Sequence, residues 1–182
     1  MKKKIPHPVI DGDFIEIDDG VEEPKNALIE KIASEVELFH DMAQTPYVRF
    51  KSGDRTLTVP TESKQFKHYI QDVLYKETKK PISKHLRDQV LDTLTAKAIH
   101  GDKQHEVYVR TAWDNDALFY DLGKEGVVKI TKNKWEVLSE SPVYFRSYKH
   151  HEDQCVPIDG GSLDDVFQYL NIEDEFQKIL IK

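Results

Sequence analysis

The sequence predicts an α+β domain: an antiparallel β-meander with helices packed on one face. Three observations carry that expectation. Between His105 and Ser147 short segments of alternating polarity are separated by tight polar turns. Upstream, three stretches place apolar residues at helical spacing. Both tryptophans of the chain, Trp113 and Trp135, fall within the meander.

In chain order, residues 1–24 read as an arm. Met1 to Lys4 is basic, and Asp11 to Glu23 is acidic and broken by Gly12, Gly20 and Pro24. Phe14, Ile15 and Ile17 suit a short docking strand but supply too little apolar area to order the arm alone. Residues 25–170 are expected to form one domain. Lys25 to Met42 reads as a helix with Leu28, Ile29, Ile32, Val36 and Phe39 on one side, stopped near Thr45-Pro46. Tyr47–Lys51 and Thr56–Pro60 read as a hairpin around Ser52-Gly53-Asp54. Ser63 is placed to cap a helix over Lys64–Glu77, and Ser83 to cap another over Lys84–His100. Gly101 is placed to end the second in a left-handed turn.

The meander then starts with one strand carrying Val107, Val109, Thr111 and Trp113 on one face and Glu106, Tyr108, Arg110 and Ala112 on the other. Asp114-Asn115-Asp116 turns into Ala117–Leu122. Val127–Thr131 and Trp135–Leu138 form a further hairpin, and Val143–Arg146, entered through Pro142, is a last edge strand. A polar loop over Lys149–Gly161 leads to a short helix capped by Ser162 and Asp165. Asp174–Lys182 begins another helix without a cap, so residues 171–182 are expected to lead into a further domain.

Composition limits the function classes. With 26 basic and 33 acidic residues, for a net charge of −7, the chain as a whole is no polycation, so binding to nucleic acid would need a concentrated basic patch. One cysteine, Cys155, can form no internal disulfide, which suits a reducing, cytoplasmic setting. There is no signal-peptide core and no apolar run of about 18 residues that could span a membrane.

Few residue groups suggest chemistry. Asp114, Asp116 and Asp121 gather near a hairpin, as carboxylates do in metal-dependent nucleases, yet tight turns favour Asp and Asn for their own backbone bonds. His150-His151-Glu152-Asp153 with Cys155 lacks the spacing of a closed zinc site. Asp11-Gly12-Asp13 opens like a calcium loop but has Ile15 at the next ligand position. His40, His68, His85 and His100 are expected on helices without a nucleophile or carboxylate at catalytic spacing. No phosphate-binding G-x-x-x-x-G-K-[ST] occurs, and no catalytic set, resident metal or cofactor is implied.

The basic positions suggest a surface instead. Arg110 and Arg146 are expected on the same side of the sheet as Tyr108 and Tyr144, an interleaving that can stack bases and pair phosphates. Lys76, Lys79, Lys80 and Lys84, around the helix–helix turn, could extend that patch along a nucleic-acid backbone. The alternative is arginines paired with acids such as Glu106 and Asp121 and lysines that are merely solvated.

Several phrases in order form one arrangement. They are Glu37-Leu38-Phe39-His40, Arg55 to Pro60, Ser63-Lys64-Gln65-Phe66, Val107-Tyr108-Val109-Arg110 and Leu118 to Gly123. Val128-x-Ile130-Thr131, Trp135-Glu136-Val137, Pro142 to Arg146 and Gly160-Gly161 before a helix complete it. The set, spanning residues 35–182, resembles the region preceding the P-loop ATPase core in helicase-like and primase-helicase replication proteins of phages, plasmids and cassette-type mobile elements. The resemblance implies a non-catalytic N-terminal accessory domain of a DNA replication helicase. Such a domain would engage single-stranded or forked DNA, or position the ATPase or a partner primase. The ATPase motifs would then follow shortly after Leu170-Asn171. A free-standing protein-interaction module and a metal-dependent nuclease are the other readings carried forward.

Overall fold

The computed structural model describes residues 22–162 together with 165, 167, 169 and 170. The expected arm strand at Phe14–Ile17, most of the helix after Ser162 and the helix from Asp174 lie outside them. The described chain runs α1 (Glu22–Glu35), β1 (Glu37–His40), β2 (Pro46–Ser52), β3 (Arg55–Pro60), α2 (Lys64–Thr78) and α3 (Lys84–His100). It continues with β4 (Val107–Tyr108), β5 (Thr111–Asp114), β6 (Ala117–Gly123), β7 (Gly126–Ile130), β8 (Trp135–Leu138) and β9 (Tyr144–Phe145). The α+β class and the antiparallel meander are as expected.

The first helix is shorter than its apolar spacing suggests. It begins inside the expected arm, with Pro24 in a first turn that does not need its missing N–H, and it stops at Glu35. Glu37–His40 is a strand, not a helix end, with Leu38 opposite Val48 and Phe39 opposite Tyr47. Val36, Leu38 and Phe39 fit either period, and pairing with β2 wins because it buries Phe39 completely. β1, β2 and β3 form an antiparallel sheet in that order.

The helices cover this sheet rather than the meander. Ile32 from α1, Ile70 and Leu74 from α2, and Val90 and Leu94 from α3 meet Val48 and Val59 in one core, all nearly free of solvent. Each such side chain contributes about 1.5–3 kcal/mol on leaving water. The Oγ atoms of Ser63 and Ser83 accept from the N–H groups of Phe66 and Leu86, both at 3.2 Å, as N-caps should. Gly101 does not form the expected left-handed end. Its φ of −75° and ψ of 162° are extended, because the following residues must run beside β1, where His40 N donates to Lys103 O at 3.2 Å and His105 N to His40 O at 3.1 Å. The left-handed cap belongs to Lys79, at φ 55°, which closes α2 by donating to Tyr75 O at 2.8 Å.

The meander sheet has the order β5-β6-β7-β8. The single strand expected over Val107–Trp113 is broken, since β4 leaves to pair with β9 while β5 pairs with β6. The β4–β9 pair is parallel, so the last strand is not a further antiparallel edge. Tyr108 and Phe145 of this ribbon, with Val143, cover Ala112, Ala117, Phe119 and Val127 to make a second, smaller core. At the β6–β7 turn Gly126 has φ 96°, and a Cβ there would run into the Leu138 carbonyl.

Candidate interaction surface

The two cores meet through a cluster of rings. Phe39 of β1 lies 4.9 Å from Tyr144 of β9 and 5.2 Å from His105, centroid to centroid, and His105 stacks on Tyr144 at 4.2 Å. The Arg49 guanidinium sits 4.8 Å from the Tyr144 ring centre and donates to the Ser141 carbonyl at 3.2 Å. Tyr144 Oη donates to Glu37 Oε1 at 3.1 Å. Burial, reinforced by the Glu37 carboxylate, pushes the Tyr144 hydroxyl above its ordinary pKa. A backbone contact lies alongside: Ser147 N donates to Thr58 O at 2.8 Å, and Thr58 N to Ser147 Oγ at 3.1 Å.

The sequence-selected site residues do not form one surface. Tyr108 is opposite Phe145 and next to Tyr144 in register, so Tyr108 and Tyr144 point to opposite faces of the ribbon. Tyr108 Oη donates to Glu106 at 2.8 Å, which raises its pKa. Arg110 lies in the break between β4 and β5. Its guanidinium donates to Asp121 O at 3.1 Å and Glu152 O at 3.4 Å, holding the 152–154 segment against β6. Arg146 stacks over Tyr148 at 4.8 Å and reaches the Tyr47 hydroxyl. Both arginines are half-buried and occupied within the fold. Lys76 pairs with Asp72 at 2.6 Å, while Lys79, Lys80 and Lys84 are exposed around the α2–α3 turn.

The other sequence candidates disperse. Asp114 pairs in register with Ala117 and Asp121 with Val127, so Asp121 lies at the far end of β6 from Asp114 and Asp116. The Asp121 carboxylate accepts from Gly123 N at 3.0 Å, a local turn bond. In the His150–Cys155 loop, Asp153 pairs with Arg55 at 2.5 Å and accepts from Lys124 N, and Cys155 is exposed. Gly123, at φ 84°, permits this approach, because a Cβ there would strike the Asp153 carboxylate. Among the described residues no group of three or more His, Cys, Asp or Glu side chains is arranged to hold a metal. His40 is a buried residue at the end of β1, not a helical one, with Nδ1 2.9 Å from Asp41 O.

A groove of about 480 Å³ separates the β2–β3 hairpin from the β6–β7 turn. Its Arg49 and Arg55 are engaged with Ser141 and Asp153 across it, so it works as a tied seam between the two halves.

The feature that sequence inspection missed lies on the other side of the meander. Trp113 is opposite Leu118, Leu118 opposite Ile130, and Ile130 opposite Trp135. These four residues form one row across all four strands on the face away from the small core. Behind it runs Thr111, Tyr120, Val128 and Val137. Trp113 is 65% exposed, Ile130 40%, Val137 38% and Trp135 37%, while Leu118 and Tyr120 are half-buried and Val128 is buried. No described helix covers them. The signal was the pair of turns that fixes register, which places two tryptophans from edge strands in one row.

Comparison of the chain with protein-family models, curated proteins and solved structures finds no match.

Proposed function

We propose that this chain is a non-catalytic N-terminal accessory domain of a mobile-element DNA replication helicase, and that it works by docking and positioning a protein partner. The sequence resemblance supports the helicase setting, with an ATPase core or primase as the partner to be positioned. The observation that carries the docking role is the Trp113–Leu118–Ile130–Trp135 row, in which both tryptophans and Ile130 are exposed side by side. A cytoplasmic setting belongs to the same reading and is supported by the lone, exposed Cys155. Among the described residues no helix is long and apolar enough to cross a membrane.

The test is to sequence the source locus past the codon for Lys182. A frame continuing into G-x-x-x-x-G-K-[ST] within a few dozen codons is expected. A frame without that motif overturns the helicase setting and leaves a protein-interaction module.

Direct engagement of single-stranded or forked DNA is a second reading, favoured by the exposed Lys79, Lys80 and Lys84. Arg110 and Arg146 would join it only by leaving their internal partners. If they bind phosphate, the double variant Arg110→Ala, Arg146→Ala weakens DNA affinity and lowers its salt dependence by about two ionic contacts. An unchanged affinity and salt slope removes them from the interface.

A further inference from the structure

We infer that the part of the β5–β8 face where Trp113, Ile130 and Trp135 are exposed is self-complementary and that its occupant is a second copy of this chain. This goes beyond the accessory-domain reading and does not depend on a helicase partner.

The geometry follows from strand direction. β5 and β7 run the same way in an antiparallel sheet, so the turns after them leave the same end. One turn is Asp114-Asn115-Asp116 and the other Thr131-Lys132-Asn133-Lys134. The apolar row ends on Trp113 in edge strand β5 and on Trp135 in edge strand β8. A two-fold axis in the plane of the face, parallel to the strands, exchanges the two edges and keeps the turns at one end. Trp113 of one copy then lies over Trp135 of the other, Leu118 over Ile130, and each acidic turn over a basic one. The pairing is isologous, so every such contact is made twice. It is also the aligned sheet-on-sheet arrangement, in which twist sets the strands about 30° apart. An axis along the row would instead send the charged turns to opposite ends, where they meet nothing.

Charge also selects against a nucleic acid as the occupant. The row is flanked by Asp114 and Asp116 as closely as by Lys132 and Lys134, and the chain carries −7. Size sets the strength. Three inter-strand gaps of about 4.8 Å make the face about 14 Å wide. With strands of four to seven residues rising about 3.4 Å each, its projected area is about 280 Å², well short of the roughly 800 Å² per partner typical of tight complexes, so a reversible dimer with Kd on the order of 10–100 µM is expected.

Because both tryptophans lie in the row, their emission reports its burial directly. The full 182-residue chain is followed by sedimentation equilibrium and intrinsic fluorescence from about 1 to 300 µM, a span that brackets the expected Kd. A monomer–dimer equilibrium with a concentration-dependent blue shift is expected. Trp113→Ser with Trp135→Ser, with unchanged far-UV circular dichroism, should weaken association at least about tenfold.

The charge arrangement is tested separately. Asp114→Lys with Asp116→Asn is one variant, Asn being tolerated at the φ of 60° there, and Lys132→Glu with Lys134→Glu is the other. Each should self-associate more weakly than the parent, and an equimolar mixture should restore association as a heterodimer. A chain that stays monomeric over the whole range with unshifted emission overturns the proposal. So does association untouched by the tryptophan substitutions, or a blue shift produced by a single-stranded oligonucleotide on the monomer. Folded charge variants whose mixture fails to restore association overturn the two-fold arrangement.

Discussion

Tyr69 shows how one side chain ties chemistry to stability. Its ring packs against Phe50 and Phe66, with centroids 4.6 and 6.0 Å away, and its hydroxyl donates to Glu35 at 3.1 Å. Burial, helped by the bond to that carboxylate, pushes its pKa from 10.0 up to about 12. The folded state therefore keeps its proton where the unfolded chain loses it. The resulting stability is intact below pH 10.0 and is lost as pH rises towards about 12. Urea unfolding across that window should show a steeper decline for the parent than for Tyr69→Phe. The helix caps are a simpler case. Ser63→Ala leaves the Phe66 N–H without its partner and should cost about 1 kcal/mol in the same measurement. Ser63 and Ser83 were legible in the sequence because a cap is a local device. Gly101 was not, because a distant strand sets its conformation.

At the scale of elements, β1 shows what periodicity cannot resolve. Val36, Leu38 and Phe39 read equally as the end of a helix or as a strand, and only the non-local partner Tyr47–Arg49 decides between them. Phe39 is fully buried and touches Tyr47, His105 and Tyr144. Phe39→Ala should therefore cost about 3–5 kcal/mol, read as a lower denaturation midpoint. The hairpins were legible, since Gly, Asn and Asp mark their turns. The β4–β9 pairing was not, because two residues facing each other in parallel carry no pattern. Nor was the exposure of Trp113 and Trp135. Large apolar side chains are usually read as core, and here the small core took the opposite face, with Phe119 and Phe145. The arginine–tyrosine surface failed to assemble for the same reason: Tyr108 and Tyr144 are on different strands, offset by one residue.

For the whole molecule, the two cores raise the question of cooperativity. The helices belong to the first core, while both tryptophans lie in the meander, so circular dichroism and fluorescence follow different halves. With the ring cluster, the Arg49–Ser141 bond and the Ser147–Thr58 pair holding the seam, both probes should give one coincident urea transition. Tyr144→Ala removes the stacking with His105, the contact with Phe39 and the bond to Glu37. It should separate the two transitions, with fluorescence changing at the lower urea concentration.

The parallel pairing of β4 with β9 has a further consequence for how such a chain can be rearranged. Tyr108 and Phe145 are neighbours although the whole meander lies between them in sequence. The meander is thus an insertion, entering and leaving the helical body through one narrow doorway. The ends of that doorway, Val109 and Val143, are separated by about 11 Å from strand spacing and rise, and because β4 and β9 run parallel a linker must cross back to the start of β9, which takes about a dozen residues. A chain with residues 110–142 replaced by such a linker, and Val143 and Phe145 made polar, should keep the helical body. The sheet and its tryptophan row can therefore be exchanged as a cassette, leaving the helical body to serve another meander with another face.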